Sequence, residues 1–120
     1  MNDFRFKDLQ IWEKGIEISD QLFDVADLAD IRQYYKFAEQ LRAAAMSITN
    51  NIAEGSGSFS QKDFANFLNV SRRSVFECAN ILHLYERREI IDEETREMLL
   101  KKLVILSKML TNFRKTLQNI

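Results

Sequence analysis

Proline is absent from this chain of 120 residues, and glycine stands only at positions 15, 55 and 57. Without a residue that removes a backbone donor, and with few that loosen the backbone, long uninterrupted helices are the expectation. One cysteine, Cys78, excludes an internal disulfide, and because it falls on the apolar face of its segment it reads as a buried, inert thiol. One histidine, His83, has no glutamate three residues before it, so the Glu-x-x-His pairs of carboxylate-bridged metal bundles are missing. No apolar run approaches the roughly 18 residues of a membrane span, and the opening MNDFRFKDLQ lacks a signal-peptide core, which points to the cytoplasm. Gly55-Ser56-Gly57 is not followed by Gly-Lys-Ser/Thr, so no phosphate loop is present. Neither a nucleophile with its base nor a metal-ligand cluster is spaced for chemistry, and the chain reads as non-catalytic, with no cofactor, metal or small-molecule substrate.

What remains is patterned for helix. Residues 37–57 carry Phe37, Leu41, Ala44, Ile48 and Ile52 at spacings of three and four, one stripe of an α-helix. Opposite stand Ala43, Met46, Asn50 and Ala53, small residues around one methionine where a monomer would show charge. Gly55 and Gly57 are expected to stop this helix in the left-handed conformation. Before it, Asp8 is expected to cap a helix running to about Leu28, with Leu9, Trp12, Ile16, Phe23 and Ala26 as its core stripe. Ile11, Ile18, Leu22, Val25 and Ala29 form a second apolar stripe on it, and Glu13, Glu17, Asp20, Asp24 and Asp27 form a row read as solvated or paired.

After the glycines, Ser60 with Asp63 resembles a capping box that opens a third helix, to about Arg88. Its core stripe is Phe64, Leu68, Ser71, Val75, Cys78, Leu82 and Tyr85, flanked by Phe67, Val70, Ile81 and Leu84. Arg72, Phe76, Asn80, His83 and Arg87 share another face. This face can grip phosphate and stack on a base, or it can be a solvated face with one buried phenylalanine and a surface hydrogen bond from His83. Asp92 with Glu93 and Glu94 starts a fourth helix whose core is Leu99, Leu103, Leu106, Leu110, Phe113 and Leu117. Lys101, Lys108 and Lys115 make a row that water, a neighbour's acidic row or a nucleic-acid backbone would satisfy.

Four helices with short connections predict an all-α, antiparallel up-down-up-down four-helix bundle, one domain over 1–120. The surplus stripes, taken as Ile11, Ile18, Val25, Met46, Val70 and Ile81, predict an oligomer interface. Net charge is −1, but residues 1–30 hold three basic and eight acidic groups while residues 92–120 hold six and four, so the chain ends are electrically complementary.

Three segments, FKDLQIWEKG at 6–15, QLRAAAMSITNNIAEG at 40–55 and FLNVSRRSVFE at 67–77, resemble the four-helix-bundle proteins encoded in intervening sequences of bacterial 23S rRNA genes. Asn51-Ile52-Ala53-Glu54-Gly55 is the most specific piece, and the resemblance spans nearly the entire chain. It implies a toroidal homopentamer and no enzymatic activity. A relative, the accessory variability protein of diversity-generating retroelements, is similar in fold and binds RNA and a reverse transcriptase through a basic surface. The chain departs from the pattern at Ala43, where a second arginine is usual, at Ser58, where a basic residue is common, and at Arg73, where glycine is common.

Two functions follow as expectations. One is a non-catalytic oligomer that binds structured RNA or a ribonucleoprotein through Arg72, Arg87, Lys101, Lys108 and Lys115. The other is a protein-interaction scaffold without a nucleic-acid ligand. Trp12, Gln40, Arg42, Asn51, Glu54 and Gly55 are expected to be structural or interface positions, with Asn51 bonding the start of the first or third helix and Glu54 pairing with Arg42 or Arg72 of a neighbour.

Overall fold

The computed structural model describes residues 4–118. After a short 3-10 turn at Arg5–Asp8 come α1 (Gln10–Ile31), α2 (Tyr35–Ser56), α3 (Gln61–Arg87) and α4 (Glu93–Gln118). Each helix packs along the one before it, α1 touches α4 more lightly, and α1 and α3 are therefore diagonal. Contacts fix the directions. Ser19 near the middle of α1 reaches Ala45 and Asp30 near its end reaches Arg42, while α3 places Ser71 on Ile48 and Tyr85 on Phe37. Arg114 at the end of α4 reaches Ala65 at the start of α3, and Arg96 at its start reaches Glu86 at the end. The bundle is antiparallel throughout, up-down-up-down.

The expected core stripes of α2, α3 and α4 are the observed ones, with Phe37, Phe113 and Leu117 half-buried at their ends. Helix α1 reverses the expectation. Ile11, Ile18, Leu22, Val25 and Ala29 are its buried face, Ala26 with them, while Leu9, Trp12 and Phe23 are partly buried at the edges. The reason is steric. Gly15 and Ser19 lie on the Ile18 side, and that side seats closest on α2: a Cβ at Gly15 would lie 3.0 Å from Thr49 Cγ2, and the Ser19 hydroxyl donates to the Ala45 carbonyl. Ile11, Ile18, Val25 and Ile81 are thus intramolecular core, not subunit surface; Ile18 is 0% exposed. Of the expected interface positions, Met46 at 50% and Val70 at 39% remain open.

Two caps stand where expected. Ser60 Oγ accepts from the Asp63 amide at 3.0 Å, and Asp92 Oδ1 accepts from the Thr95 amide at 2.8 Å, which holds the Asp92 carboxyl below its ordinary value. Asp8 caps nothing: it closes the 3-10 turn, and α1 begins after extended Leu9 and continues to Ile31.

Among the described residues the left-handed ones are Gln33 (φ 65°) and Glu89 (φ 58°), and none of the glycines is among them. Both sit two residues past the last residue of a helix. The Tyr34 amide donates to Ala29 O and the Gln33 amide to Asp30 O; the Ile90 amide donates to Tyr85 O and the Glu89 amide to Glu86 O. These are two Schellman closures, and Arg32 joins them by donating to the Glu89 carbonyl at 2.9 Å. Gly55 instead lies inside α2, buried, where an added Cβ would meet Phe67 Cβ at 2.7 Å and Phe64 Cδ1 at 2.9 Å. Gly57 follows the helix with φ −89°.

Replacing Gln33 or Glu89 by glycine should stabilise the fold by roughly 0.5–1 kcal/mol each, because the left-handed cost of a side chain disappears; equal or lower denaturation midpoints would contradict this. Gly55→Ala should be destabilising, since overpacking costs about 1–3 kcal/mol and outweighs the helix-propensity gain of about 1 kcal/mol. Gly57→Ala, whose nearest neighbour is Glu54 O at 3.4 Å, should be close to neutral.

Candidate nucleic-acid interface

The segment 40–55 that carries the most specific pattern is chiefly structural. Arg42, half-buried, donates from one nitrogen to Asp27 and to Asp30, both at 2.6 Å, which ties the start of α2 to the end of α1 and raises the guanidinium pKa. Its partners within the chain are these two aspartates. Asn51 bonds neither α1 nor the start of α3. It donates to the Ser47 carbonyl at 2.7 Å and the Ser47 hydroxyl at 3.0 Å; Ser47 Oγ lies 2.7 Å from Ser74 Oγ, and Ser74 donates to Val70 O. With that last donation fixed, Ser47 donates to Ser74, and the protons run one way from α2 into α3. Glu54 makes no ion pair among the described residues and borders a hollow with Phe4, Arg5 and Phe6. Gln40 is exposed, and Trp12 packs on Phe6 with ring centres 5.2 Å apart.

Exposed helix positions carry the remaining chemistry. The acids Glu13, Glu17, Asp20, Asp24 and Asp27 face outward along α1, with Lys14 3.7 Å from Glu17 and Arg42 on Asp27. Among the described residues no group of three or more His, Cys, Asp or Glu is arranged to hold a metal ion. No helix there is long and apolar enough to cross a membrane.

The cations divide by partner. Arg42 and Arg96 are neutralised by carboxylates, Arg96 by Glu86 and Glu97. Arg72, Arg87, Lys101, Lys108 and Lys115 make no ion pair among the described residues. Arg72 and Lys108 are brought to one groove between α3 and α4, of about 310 Å³, with Phe76 and Val104 on its walls. Phe76, expected to be buried on the solvated-face reading, is 56% exposed, and the Arg72 guanidinium lies 4.8 Å over its ring. Lys101 and Lys115 stand one heptad either side of Lys108 on the outer face of α4, about 10.5 Å away along the axis. Arg87 is about 22 Å along α3 from Arg72 and borders a separate hollow with Phe37, Leu84 and Arg88. His83 is exposed and makes no hydrogen bond among the described residues. Val104 and Ser107 carry no signal of a site in the sequence, since Leu100 and Ile105 are likewise aliphatic residues off the leucine stripe of α4.

Two buried titratable groups lie away from this surface. Burial pushes the Cys78 thiol up to about 12 and the Tyr85 phenol to about 12, Tyr85 donating to the Phe37 carbonyl at 2.7 Å. Each keeps its proton in the fold after the unfolded chain has lost it. Stability should therefore be full below about pH 9 and fall as pH rises toward about 12. Thiol alkylation at neutral pH should proceed only as fast as unfolding; rapid labelling of native protein would contradict the burial.

The family model of the 23S rRNA-intervening sequence protein matches residues 7–112. Among solved structures, the chain is similar to a protein with unknown function from the S23 ribosomal protein family of Bacteroides thetaiotaomicron VPI-5482. The TM-score is 0.82 at 24% identity, with 88% of this chain and 98% of that chain covered; the likeness is one of fold. No match was found among curated proteins.

Proposed function

We propose, from the chain's belonging to the 23S rRNA-intervening sequence protein family, that it is a non-catalytic homo-oligomeric bundle of the cytoplasm that binds structured RNA or a ribonucleoprotein. The observation that carries this reading is that Arg42 and Arg96 are spent on the chain's own carboxylates, while Arg72, Arg87, Lys101, Lys108 and Lys115 present charge on α3 and α4 that no carboxylate among the described residues neutralises. A phosphate backbone is the partner such charge attracts, and each phosphate neutralised releases counterions. The side-chain chemistry supports binding over bond-breaking: the lone thiol and the Tyr85 phenol are buried and protonated, and the lone imidazole has no orienting partner among the described residues.

The oligomer reading rests on the two expected interface positions that stay open, Met46 and Val70. Met46 is 50% exposed on the outer face of α2 beside Ala43 and Asn50, and Val70 is open on α3 toward that side. Small residues around a methionine let a second helix approach closely. A ring of five copies, as the family resemblance implies, would cover this face and leave α4, diagonal to α2, outward of the contact.

The test is charge reversal at Lys101, Lys108 and Lys115 together, read by RNA mobility shift at low salt and by native mass. Loss of rRNA or intervening-sequence RNA retention, with the assembly unchanged, is expected. Dissociation of the assembly instead would favour the scaffold without a nucleic-acid ligand, and wild-type protein that retains no RNA would overturn the reading.

A further inference from the structure

We infer that the α3–α4 groove seats one unpaired base of an RNA loop, with Arg72 and Lys108 on the flanking phosphates. This rests on the RNA-binding reading above and makes it specific for single-stranded over paired RNA. Phe76 at 56% and Val104 at 52% exposure put apolar walls in water on the outside of a bundle, where charge is the norm. Between them the groove offers about 310 Å³, a volume that accommodates a flat ring.

The polar groups at its rim are those a nucleotide needs. Arg72 lies over the Phe76 ring at 4.8 Å, and its Nε is buried without a hydrogen-bond partner. No carboxylate neutralises that guanidinium among the described residues, so it is already held in place and still lacks an acceptor. The buried Nε is out of a ligand's reach, but the terminal nitrogens of the same guanidinium are open, and a phosphate oxygen is an acceptor for them. Lys108 supplies a second charge across the groove, and half-buried Ser107 adds a hydroxyl-bearing residue to its lining. An aromatic ring with a cation stacked on it is an arrangement that holds single-stranded nucleic acid.

A paired stem cannot use this site. Its bases are stacked inside the duplex, and it offers the protein phosphates and hydroxyls alone, which would leave Phe76 and Val104 facing water. An acidic amphipathic helix of a partner protein could use the same two cations, but would need only apolar bulk at position 76. The residue-specific test separates the two.

Fluorescence anisotropy of labelled RNA decides it, with a hairpin bearing an unpaired loop compared with a fully paired duplex of equal charge, each at about 50 and 200 mM salt. The hairpin should bind at least about tenfold more tightly. Phe76→Ala and Phe76→Leu should each erase roughly that factor, the order of one base–aromatic stack, without moving the salt dependence, while Phe76→Trp keeps it. Lys108→Ala should instead reduce the slope of log affinity against log salt by about one, for both RNAs. Equal binding of hairpin and duplex, with the Phe76 variants inert and the lysine variants weakened, would overturn the groove and leave the RNA reading standing. Wild-type affinity in Phe76→Leu, or a changed assembly mass in Phe76→Ala with RNA binding intact, would assign the groove to a protein contact and also overturn the inference. Absence of wild-type binding to either RNA would remove both readings.

Discussion

Everything in this bundle depends on how closely α1 and α3 seat on α2. The inward positions of α2 are small where the neighbours cross it: Ala38, Ala44, Ala45, Thr49 and Gly55. Their smallness lets hydroxyls on the adjacent helices reach α2's own backbone or side chains. Ser71, 0% exposed, donates to the Ile48 carbonyl at 2.7 Å, Ser19 donates to Ala45, and Ser74 meets Ser47. Such bonds need backbones close enough that a longer side chain would push them apart, and each leaves a buried hydroxyl satisfied. At Gly55 the margin vanishes, since the Phe64 and Phe67 side chains occupy the place of a Cβ. Tight seating on both flanks of α2 leaves α4 to close the bundle through leucines, with a hollow at the α1–α4 edge near Ile11 and Phe113.

That constraint explains which parts of the fold were legible. On α2, α3 and α4 one apolar stripe clearly exceeds the rest, and periodicity alone identifies it. On α1 two stripes compete, and the aromatic rings of Trp12 and Phe23 point to one of them. Size decides the opposite way: Gly15 and Ser19 share the Ile18 side, and a small residue beside an aliphatic row marks where another backbone comes near. The same logic corrects Gly55. A glycine near a helix end suggests a left-handed stop, but the left-handed positions fell to Gln33 and Glu89, where the Schellman bonds and the Arg32 clasp compel a side-chain-bearing residue into that conformation. No residue type announced either closure.

The candidate surface was half legible for a related reason. Spacing places Arg72, Phe76 and Arg87 on one side of α3 and the lysines in a row on α4, but whether two rows meet depends on helix register, which sequence does not carry. The antiparallel register brings Arg72 level with Lys108 and leaves Arg87 at the far end. The surplus of apolar surface that argued for an assembly was real but miscounted, because Ile11, Ile18, Val25 and Ile81 cover one another within a single chain. What stays open on α2, α3 and α4 includes Met46, Val70, Phe76, Leu84, Met98, Val104 and Ile105, spread over more than one face, with Leu28, Ile31, Tyr35 and Phe59 open near the connections.

Net charge is the apparent objection to an anionic ligand, since the chain carries −1 overall. Position answers it. The acidic row lies on α1, diagonal to α3, and the bundle is 27 and 21 Å across its shorter axes. Ionic screening at physiological strength falls off over about 8 Å, so carboxylates on one corner do little to cancel guanidinium charge on the opposite one. The Arg72 groove therefore presents its own local field to a ligand, and the total charge governs solubility rather than recognition. On the RNA-binding proposal the same segregation would orient the molecule, since a polyanion would be repelled at α1 and attracted at α3 and α4, turning the groove toward it before contact.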